Sequence, residues 1–117
     1  MEKERKYDLE GRLLRFAVEI TKVVEGLPDS KVCNHLGGQL LRSGTSPALN
    51  YAEAQAAESR KDFIHKLRII LKELRETSVC MEILKERDLL PESILNAENR
   101  QLIAIFTKSI ITAKETQ

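Results

Sequence analysis

The sequence contains no tryptophan, only three prolines and five glycines, and two cysteines. So few helix-breaking residues, together with 42% hydrophobic and 32% charged residues, are typical of a helical globular protein and exclude a disordered chain. Cys33 and Cys80 have no CxxC spacing, so we expect neither a zinc site nor a disulfide framework. We interpret both as buried thiols in a reducing cytoplasm. No apolar run approaches the length of a membrane span.

An excess of charge of one sign is also lacking. The 19 Lys and Arg residues nearly balance the 18 Asp and Glu residues, which gives a formal net charge of +1. The whole chain therefore exerts no general attraction on nucleic acid or on an anionic membrane, and any attraction depends on how the charges are distributed. The opening segment MEKERKYDLEGR is charged and lacks the apolar core of a signal peptide, so we expect a cytoplasmic protein.

Apolar residues recur at spacings of three and four along most of the chain, which predicts amphipathic helices. Asp29 or Ser30 is a candidate N-cap, and Ser59 with Asp62 has the form of a capping box. No strand pattern competes. The predicted fold is all-α, an antiparallel up-down-up-down four-helix bundle that forms one domain. The predicted helices cover residues 8–27, 31–57, 59–87 and 92–114.

The stretch RSGTSP, residues 42–47, interrupts the second predicted helix. Pro47 cannot donate a backbone hydrogen bond, and its ring clashes with the preceding turn. We therefore predict a joint at residues 43–47, either a kink or a brief break between two collinear pieces. Thr45 or Ser46 would cap a helix that restarts at Pro47. The stretch lacks the GxxxxGKS/T pattern of a phosphate-binding loop.

The third predicted helix carries its cations along one line that faces away from the core, at about 100° per residue. Two interpretations are open. The line is either an ordinary solvated face, ion-paired with Glu58, Glu73 and Glu76, or a nucleic-acid contact surface that oligomerisation copies several times onto one particle. We call these residues the basic stripe: Lys61, His65, Arg68, Lys72 and Arg75.

The third and fourth predicted helices carry more apolar surface than a solitary bundle can bury. In the third helix the outward side turns apolar near its C-terminus, and the fourth is apolar around its whole circumference. Such a surplus predicts contact with further copies of the chain. The predicted oligomer interface comprises Ile69, Val79, Ile83, Ile103, Ile105 and Ile111.

No catalytic set can be assembled from the sequence. His35 and His65 are isolated histidines, and no nucleophile with an orienting base accompanies them. The ExxH pattern of di-iron bundles is absent as well. We expect a protein that is not an enzyme, with no metal, no cofactor and no small-molecule substrate.

Two long stretches carry a resemblance to a known family. QLLRSGTSPALNYAEA (Gln39–Ala54) and AESRKDFIHKLRIILKELRET (Ala57–Thr77) resemble the four-helix-bundle family first met as the product of intervening sequences in bacterial 23S ribosomal RNA genes. FAVEITKVVEGLP and IFTKSIITAK are similar to it too, so the resemblance covers nearly the whole chain.

The resemblance implies an up-down-up-down bundle that assembles as a ring-like homopentamer. A related accessory protein of diversity-generating retroelements is a pentameric bundle with a basic surface, and it binds nucleic acid and a reverse transcriptase. The functional expectation is therefore a non-catalytic oligomer that binds structured RNA or DNA through the basic stripe. The alternative is a protein–protein scaffold or accessory subunit that binds no nucleic acid.

Overall fold

The computed structural model describes residues 8–116 and contains four α-helices and no strand in that range. Residues 1–7 lie outside the described residues. They belong to the charged opening segment, for which we predict no signal peptide. The all-α four-helix prediction is confirmed. The helices are α1 (Leu9–Glu25), α2 (Lys31–Gln55), α3 (Arg60–Glu86) and α4 (Ile94–Glu115).

Successive helices are neighbours in the bundle. Helix α2 packs extensively on both α1 and α3, and α3 packs extensively on α4. Short connections at residues 26–30, 56–59 and 87–93 join these neighbours, so consecutive helices run antiparallel. Helix α1 contacts α4 along a narrow seam, which closes the ring of helices. The particle is elongated, 47 × 29 × 20 Å along its principal axes. None of these helices combines the length and the apolar character that crossing a bilayer requires.

Serine side chains start three of the four helices. Ser30 accepts a hydrogen bond from the Cys33 amide, and Ser59 accepts one from the Asp62 amide, each at 3.0 Å. Both serines were among the predicted caps. Ser93 begins α4, where Asn96 completes a reciprocal capping box. Pro91, which could have been the first residue of the last helix, lies before it.

The core runs along the axis of the bundle and draws on every helix. Leu13, Phe16 and Ile20 of α1 are buried at the predicted three- and four-residue spacing. In α2, Cys33 and the small Gly37 face inward, whereas Val32 is 41% exposed. The remaining large buried apolar residues are Leu40, Ile64, Leu67, Ile70, Leu74, Met81, Leu84, Leu95, Leu102 and Phe106.

Helix α2 continues without interruption through the predicted joint. Residues 43–47 are helical, with Pro47 inside the helix, so the alternative of a brief break is wrong. Thr45 does not cap a new helix, because its hydroxyl donates to the Leu41 carbonyl one turn earlier at 2.7 Å. Ser46 instead accepts from the Asn50 side-chain amide, on both its carbonyl at 3.1 Å and its hydroxyl at 2.9 Å. The kink alternative stays a prediction.

Packing explains why α2 tolerates a proline in its middle. Ser43, Gly44 and Pro47 are all buried against neighbouring helices. A Cβ on Gly44 would lie 2.8 Å from the Cγ1 and Cγ2 atoms of Ile20, so only glycine lets α1 and α2 come this close. Burial of this apolar face outweighs the one helical hydrogen bond that Pro47 removes.

A short chain of hydrogen bonds joins α2 to α3 at the same level. The Ser43 and Thr77 hydroxyl oxygens lie 2.8 Å apart, and both residues are fully buried. Thr77 donates its own hydroxyl proton to the Glu73 carbonyl at 3.0 Å. Ser43 must therefore be the donor toward Thr77, which satisfies both buried hydroxyls.

Candidate nucleic-acid interface

The basic stripe lies on the solvent face of α3, and all five of its side chains are exposed. Helix α3 begins at Arg60, so the stripe starts in its first turn. From Lys61 to Arg75 the helix rises about 21 Å at 1.5 Å per residue. A straight row of cations of that length matches the dimensions of a nucleic-acid backbone better than those of a small anion.

The cations of the stripe have no acidic partner among residues 8–116. No ion pair within that range involves Lys61, Arg68, Lys72 or Arg75. The expected ion pairs with Glu58, Glu73 and Glu76 are therefore not formed among these residues, while the interpretation of the stripe as an ordinary solvated face stays a prediction. Unpaired, solvated cations remain available to an external anion.

Arg42 of α2 binds the acidic residues that could have neutralised the stripe. Its guanidinium lies 2.6 Å from Glu73 Oε1 and 2.8 Å from Glu76 Oε2. The hydrogen bond to Glu76, followed by the charge of Glu73, raises the pKa of Arg42 above its ordinary value. Glu76 lies one turn after Lys72, where a helical ion pair can form in the weaker of its two orientations, but Arg42 holds Glu76 on the α2 side. Sequence reasoning missed this contact because it joins two helices.

The C-terminal half of the stripe borders a depression of about 590 Å³. Three of its lining residues are the cations Arg68, Lys72 and Arg75. Three others are apolar, and Gln39 and Glu76 also contribute to the lining. The apolar lining residues are Leu71, Val79 and Cys80.

The N-terminal half of the stripe borders a smaller depression of about 450 Å³. Lys61, His65 and Arg68 line it together with Lys114 of α4, and Ile64 is its one apolar lining residue. Lys114 is a fourth cation that the sequence did not assign to this surface. It arrives there because the last turn of α4 lies beside the first turn of α3, as antiparallel neighbours require.

The residues of the predicted oligomer interface divide into two groups. Val79, Ile83 and Ile111 are 60%, 42% and 52% exposed, which is unusual for large apolar side chains. The other three, Ile69, Ile103 and Ile105, are half-buried. Ile103 also packs against the core cluster, so part of its surface is already covered by the chain itself.

Further exposed apolar residues lie outside the predicted oligomer interface. Leu14 and Val18 of α1 are 60% and 44% exposed, and they share one face at a spacing of four. Leu49 of α2 and Ile94 at the start of α4 are exposed as well. A helical wheel of α1 would have revealed the first pair, since both lie off its core stripe.

A larger cavity of about 790 Å³ lies at the end of the bundle where α1 and α3 begin and α4 ends. Leu9, Phe63 and Ile105 supply apolar lining, while Arg60 and Thr116 supply polar groups. Arg60 donates to the Thr116 hydroxyl at 2.7 Å and so ties the start of α3 to the end of α4. The basic stripe does not line this cavity.

The buried polar side chain of Asn99 and the two cysteine thiols lie inside the bundle. Asn99 of α4 is fully buried, and its side-chain amide donates to the Leu74 carbonyl and to the Ser78 hydroxyl. Cys33 and Cys80 are free and buried, and burial, then the nearby charge of Glu76, raises the pKa of the Cys80 thiol. Within residues 8–116, no three His, Cys, Asp or Glu side chains are grouped to hold a metal ion.

Comparison with known proteins agrees with this architecture. A family model described as 23S rRNA-intervening sequence protein matches residues 5–110. The chain is also similar to the crystal structure of a protein of unknown function from the S23 ribosomal protein family of Bacteroides thetaiotaomicron. That similarity has a TM-score of 0.81 and 33% sequence identity, and it covers 86% of this chain and 96% of that chain. No curated protein matches the sequence.

Proposed function

The chain belongs to the 23S rRNA-intervening sequence protein family, and from that premise we propose that it is a non-catalytic, self-associating bundle that binds structured RNA or DNA. The basic stripe is the contact surface. Each bound phosphate releases condensed counterions, so binding is sensitive to salt and nearly independent of sequence.

The unpaired state of the stripe supports this proposal most directly. Four exposed Lys and Arg residues lie in a row without an acidic partner among the described residues, although Glu73 and Glu76 are close in sequence. Arg42 binds both carboxylates, so neither of them pairs with a cation of the row.

Self-association is the second part of the proposal, and exposed apolar surface supports it. Ile83 follows the basic stripe on α3 and Ile111 lies on α4, and both are exposed outside the depression that Val79 lines. Covering these side chains in a homo-oligomer removes apolar surface from water at about 25 cal/mol per Å². A ring-like pentamer, the assembly that the resemblance implies, would present five copies of the stripe and multiply a modest affinity.

No catalytic, metal or cofactor role forms part of the proposal. The same holds for small-molecule substrates and membranes, and the proposed location is the cytoplasm. The stripe acts by charge and by position alone, so its function needs neither a perturbed pKa nor an enclosed pocket.

Nucleic-acid binding is tested by removing the charges of the stripe. In a variant with Lys61, Arg68, Lys72 and Arg75 all changed to Gln, we expect retention of a labelled RNA or DNA hairpin in a mobility-shift assay to be lost. The slope of log affinity against log salt falls by about 0.7–0.9 for each phosphate contact removed. Unchanged retention would refute the proposal.

The matched control removes the same amount of charge elsewhere. Lys22, Lys31, Arg87 and Lys108 are exposed and lie outside the stripe and its two depressions. Changing these four to Gln should leave most of the binding in place. An equal loss in both variants would mean that overall charge, and not the stripe, attracts nucleic acid.

Light scattering tests the assembly. We expect the mass of a multiple of the 13.3 kDa chain, and a double change of Ile83 and Ile111 to Asp should lower it. A dilute wild-type monomer would contradict the proposal. A stable oligomer that binds neither RNA nor DNA at low salt would instead support the scaffold alternative.

A further inference from the structure

The basic stripe does not have the same surroundings along its length. Near Lys61 and His65 the adjoining depression is lined mostly by cations, with Lys114 among them. Toward the C-terminus, Arg68, Lys72 and Arg75 line a depression together with three apolar residues. Charge alone explains the attraction of phosphate to both halves. It does not explain what the apolar lining of the second half would contact.

Duplex and single-stranded nucleic acids differ in what they present to such a surface. A duplex presents phosphates and sugars, and its bases are stacked inside, so it gains from the cations only. An unpaired strand presents the flat faces of its bases as well. Those faces pack on apolar side chains and on the planar guanidinium groups of arginine.

The lining of the depression matches an unpaired strand on both counts. Leu71 and Val79 offer apolar contact, and the Val79 side chain is 60% exposed. Arg68 and Arg75 lie two helical turns apart on the same face, which places two guanidinium planes beside the apolar surface.

The two sides of the depression differ in free positive charge. Gln39 and Glu76 both accept hydrogen bonds from Arg42 of α2, so they lie on the α2 side. There the charge of Arg42 is paired with the Glu73 and Glu76 carboxylates, whereas Lys72 and its neighbours on the outer line of α3 have no acidic partner among residues 8–116 and attract phosphate more strongly. The backbone of a strand would then follow the cations, and its bases would turn into the depression.

We propose that the depression around Arg68, Lys72 and Val79 binds unpaired nucleotides, so that the protein prefers single-stranded segments of RNA or DNA to duplex. This inference rests on the proposed nucleic-acid binding and specifies the form of the ligand. An acidic amphipathic peptide would also be attracted by cations beside apolar surface. The continuous row of about 21 Å, which runs on to Lys61 beyond the apolar lining, favours an extended polyanion.

Fluorescence anisotropy with two probes tests the preference. The probes are a labelled single-stranded RNA of mixed sequence and an RNA duplex with the same number of phosphates, each titrated at two salt concentrations. We expect the wild-type protein to bind the single strand at least about threefold more tightly, as partial burial of one or two apolar side chains implies. Equal or tighter binding of the duplex would overturn the inference.

Two matched variants locate the effect. Val79→Gln replaces apolar lining by a neutral polar side chain, and Leu49→Gln makes a similar change at an exposed site of α2, outside the depression. We expect Val79→Gln to lose the single-strand preference while its duplex affinity and salt slope stay unchanged, and Leu49→Gln to keep the preference. Equal behaviour of the two variants would overturn the inference.

A second measurement does not depend on how the variants assemble. Photo-crosslinking of a thiouridine-labelled strand to the wild-type protein should attach bases within residues 68–80, as read by mass spectrometry of the peptides. Attachment only elsewhere contradicts the inference. If Val79→Gln lost affinity for an acidic peptide but kept its affinity for single-stranded RNA, the depression would bind a protein partner and the inference would be overturned.

The outcomes separate the two proposals. If the wild-type protein binds neither probe at low salt, the proposed function fails, and this inference fails with it. If the protein binds both probes equally through the stripe cations, the proposed function stands and only the single-strand preference is refuted.

Discussion

The side of the bundle where α2 lies between α1 and α3 is held together differently from the side where α1 meets α4. On the first side, Gly44 lets α1 approach and the Ser43 hydroxyl binds Thr77 in the core. On the second side the contact is narrow, and Arg12 bridges it by two hydrogen bonds to the Glu98 carboxylate, of 3.0 and 2.7 Å. The α2 side therefore depends on small side chains that let the helices approach, and the α1–α4 seam depends on long side chains that reach across it.

This difference predicts how each seam responds to mutation. Where two helix backbones are in close contact, no free volume accommodates an added carbon atom, because the protein interior is packed as densely as an organic crystal. A bidentate ion pair at the solvent edge is directional, but water and salt replace much of what it contributes. The α2 side should therefore be sensitive to single atoms, and the α1–α4 seam tolerant of them.

The largest effect is expected from Gly44→Ala. The new Cβ would lie 2.8 Å from two carbons of the buried Ile20 side chain, so α1 must shift, and we expect a loss of about 1–3 kcal/mol of unfolding free energy in urea. Gly38→Ala is the control, since nothing lies within 4 Å of its added Cβ. It should stabilise α2 by about 0.5–1 kcal/mol. The same sign for both variants would contradict the close approach.

The buried hydroxyl pair should give the next largest effect. Thr77→Val leaves the Ser43 hydroxyl without its acceptor in the core, and we expect a cost of about 1–2 kcal/mol in chemical denaturation. The double variant Ser43→Ala with Thr77→Val removes both polar groups and should recover part of that loss. Strictly additive losses would show that the two hydroxyls do not interact.

A smaller effect is expected at the α1–α4 seam. Arg12→Met keeps the apolar stem but removes the contacts to Glu98 and to Gln101, and we expect a loss of at most about 1 kcal/mol that shrinks as salt is raised. Urea denaturation at low and high salt measures it. A loss as large as that of Gly44→Ala, independent of salt, would mean that the two seams are not different in kind.

The smallest effect concerns binding and not stability. Arg42→Gln frees Glu76, which can then pair with Lys72 one turn earlier on α3. We expect the affinity for a nucleic-acid hairpin to fall about twofold at low salt, as a helical pair of a few tenths of a kcal/mol implies. Adding Glu76→Gln to this variant should restore the affinity. No change in either variant would show that Arg42 does not protect the stripe.

Periodicity within single helices was enough to predict much of the fold. The spacing of Leu13, Phe16 and Ile20 gave the buried face of α1, and Ser59 marked the start of α3. The outward placement of the basic stripe followed from the same arithmetic. These features depend on residues three or four apart, so one sequence carries them in full.

Contacts between helices could not be predicted in this way. Arg42 was taken as part of a polar joint, but it reaches α3 and binds Glu73 and Glu76. Pro47 predicted a joint because the local rule ignores how tightly the neighbours hold α2. Ser43 likewise read as a turn residue, whereas its hydroxyl is in the core. In each case a partner distant in sequence reverses the local preference.

Leu9 and Thr116 line one cavity, so the first helix starts beside the place where the last one finishes. A short flexible linker could close the chain there, and new termini could be opened at the exposed residues 91–93, in the connection before α4. Such a circular permutant would keep every pair of helix neighbours. It would also move any fused reporter to the opposite pole of the molecule, away from Lys61 and Lys114.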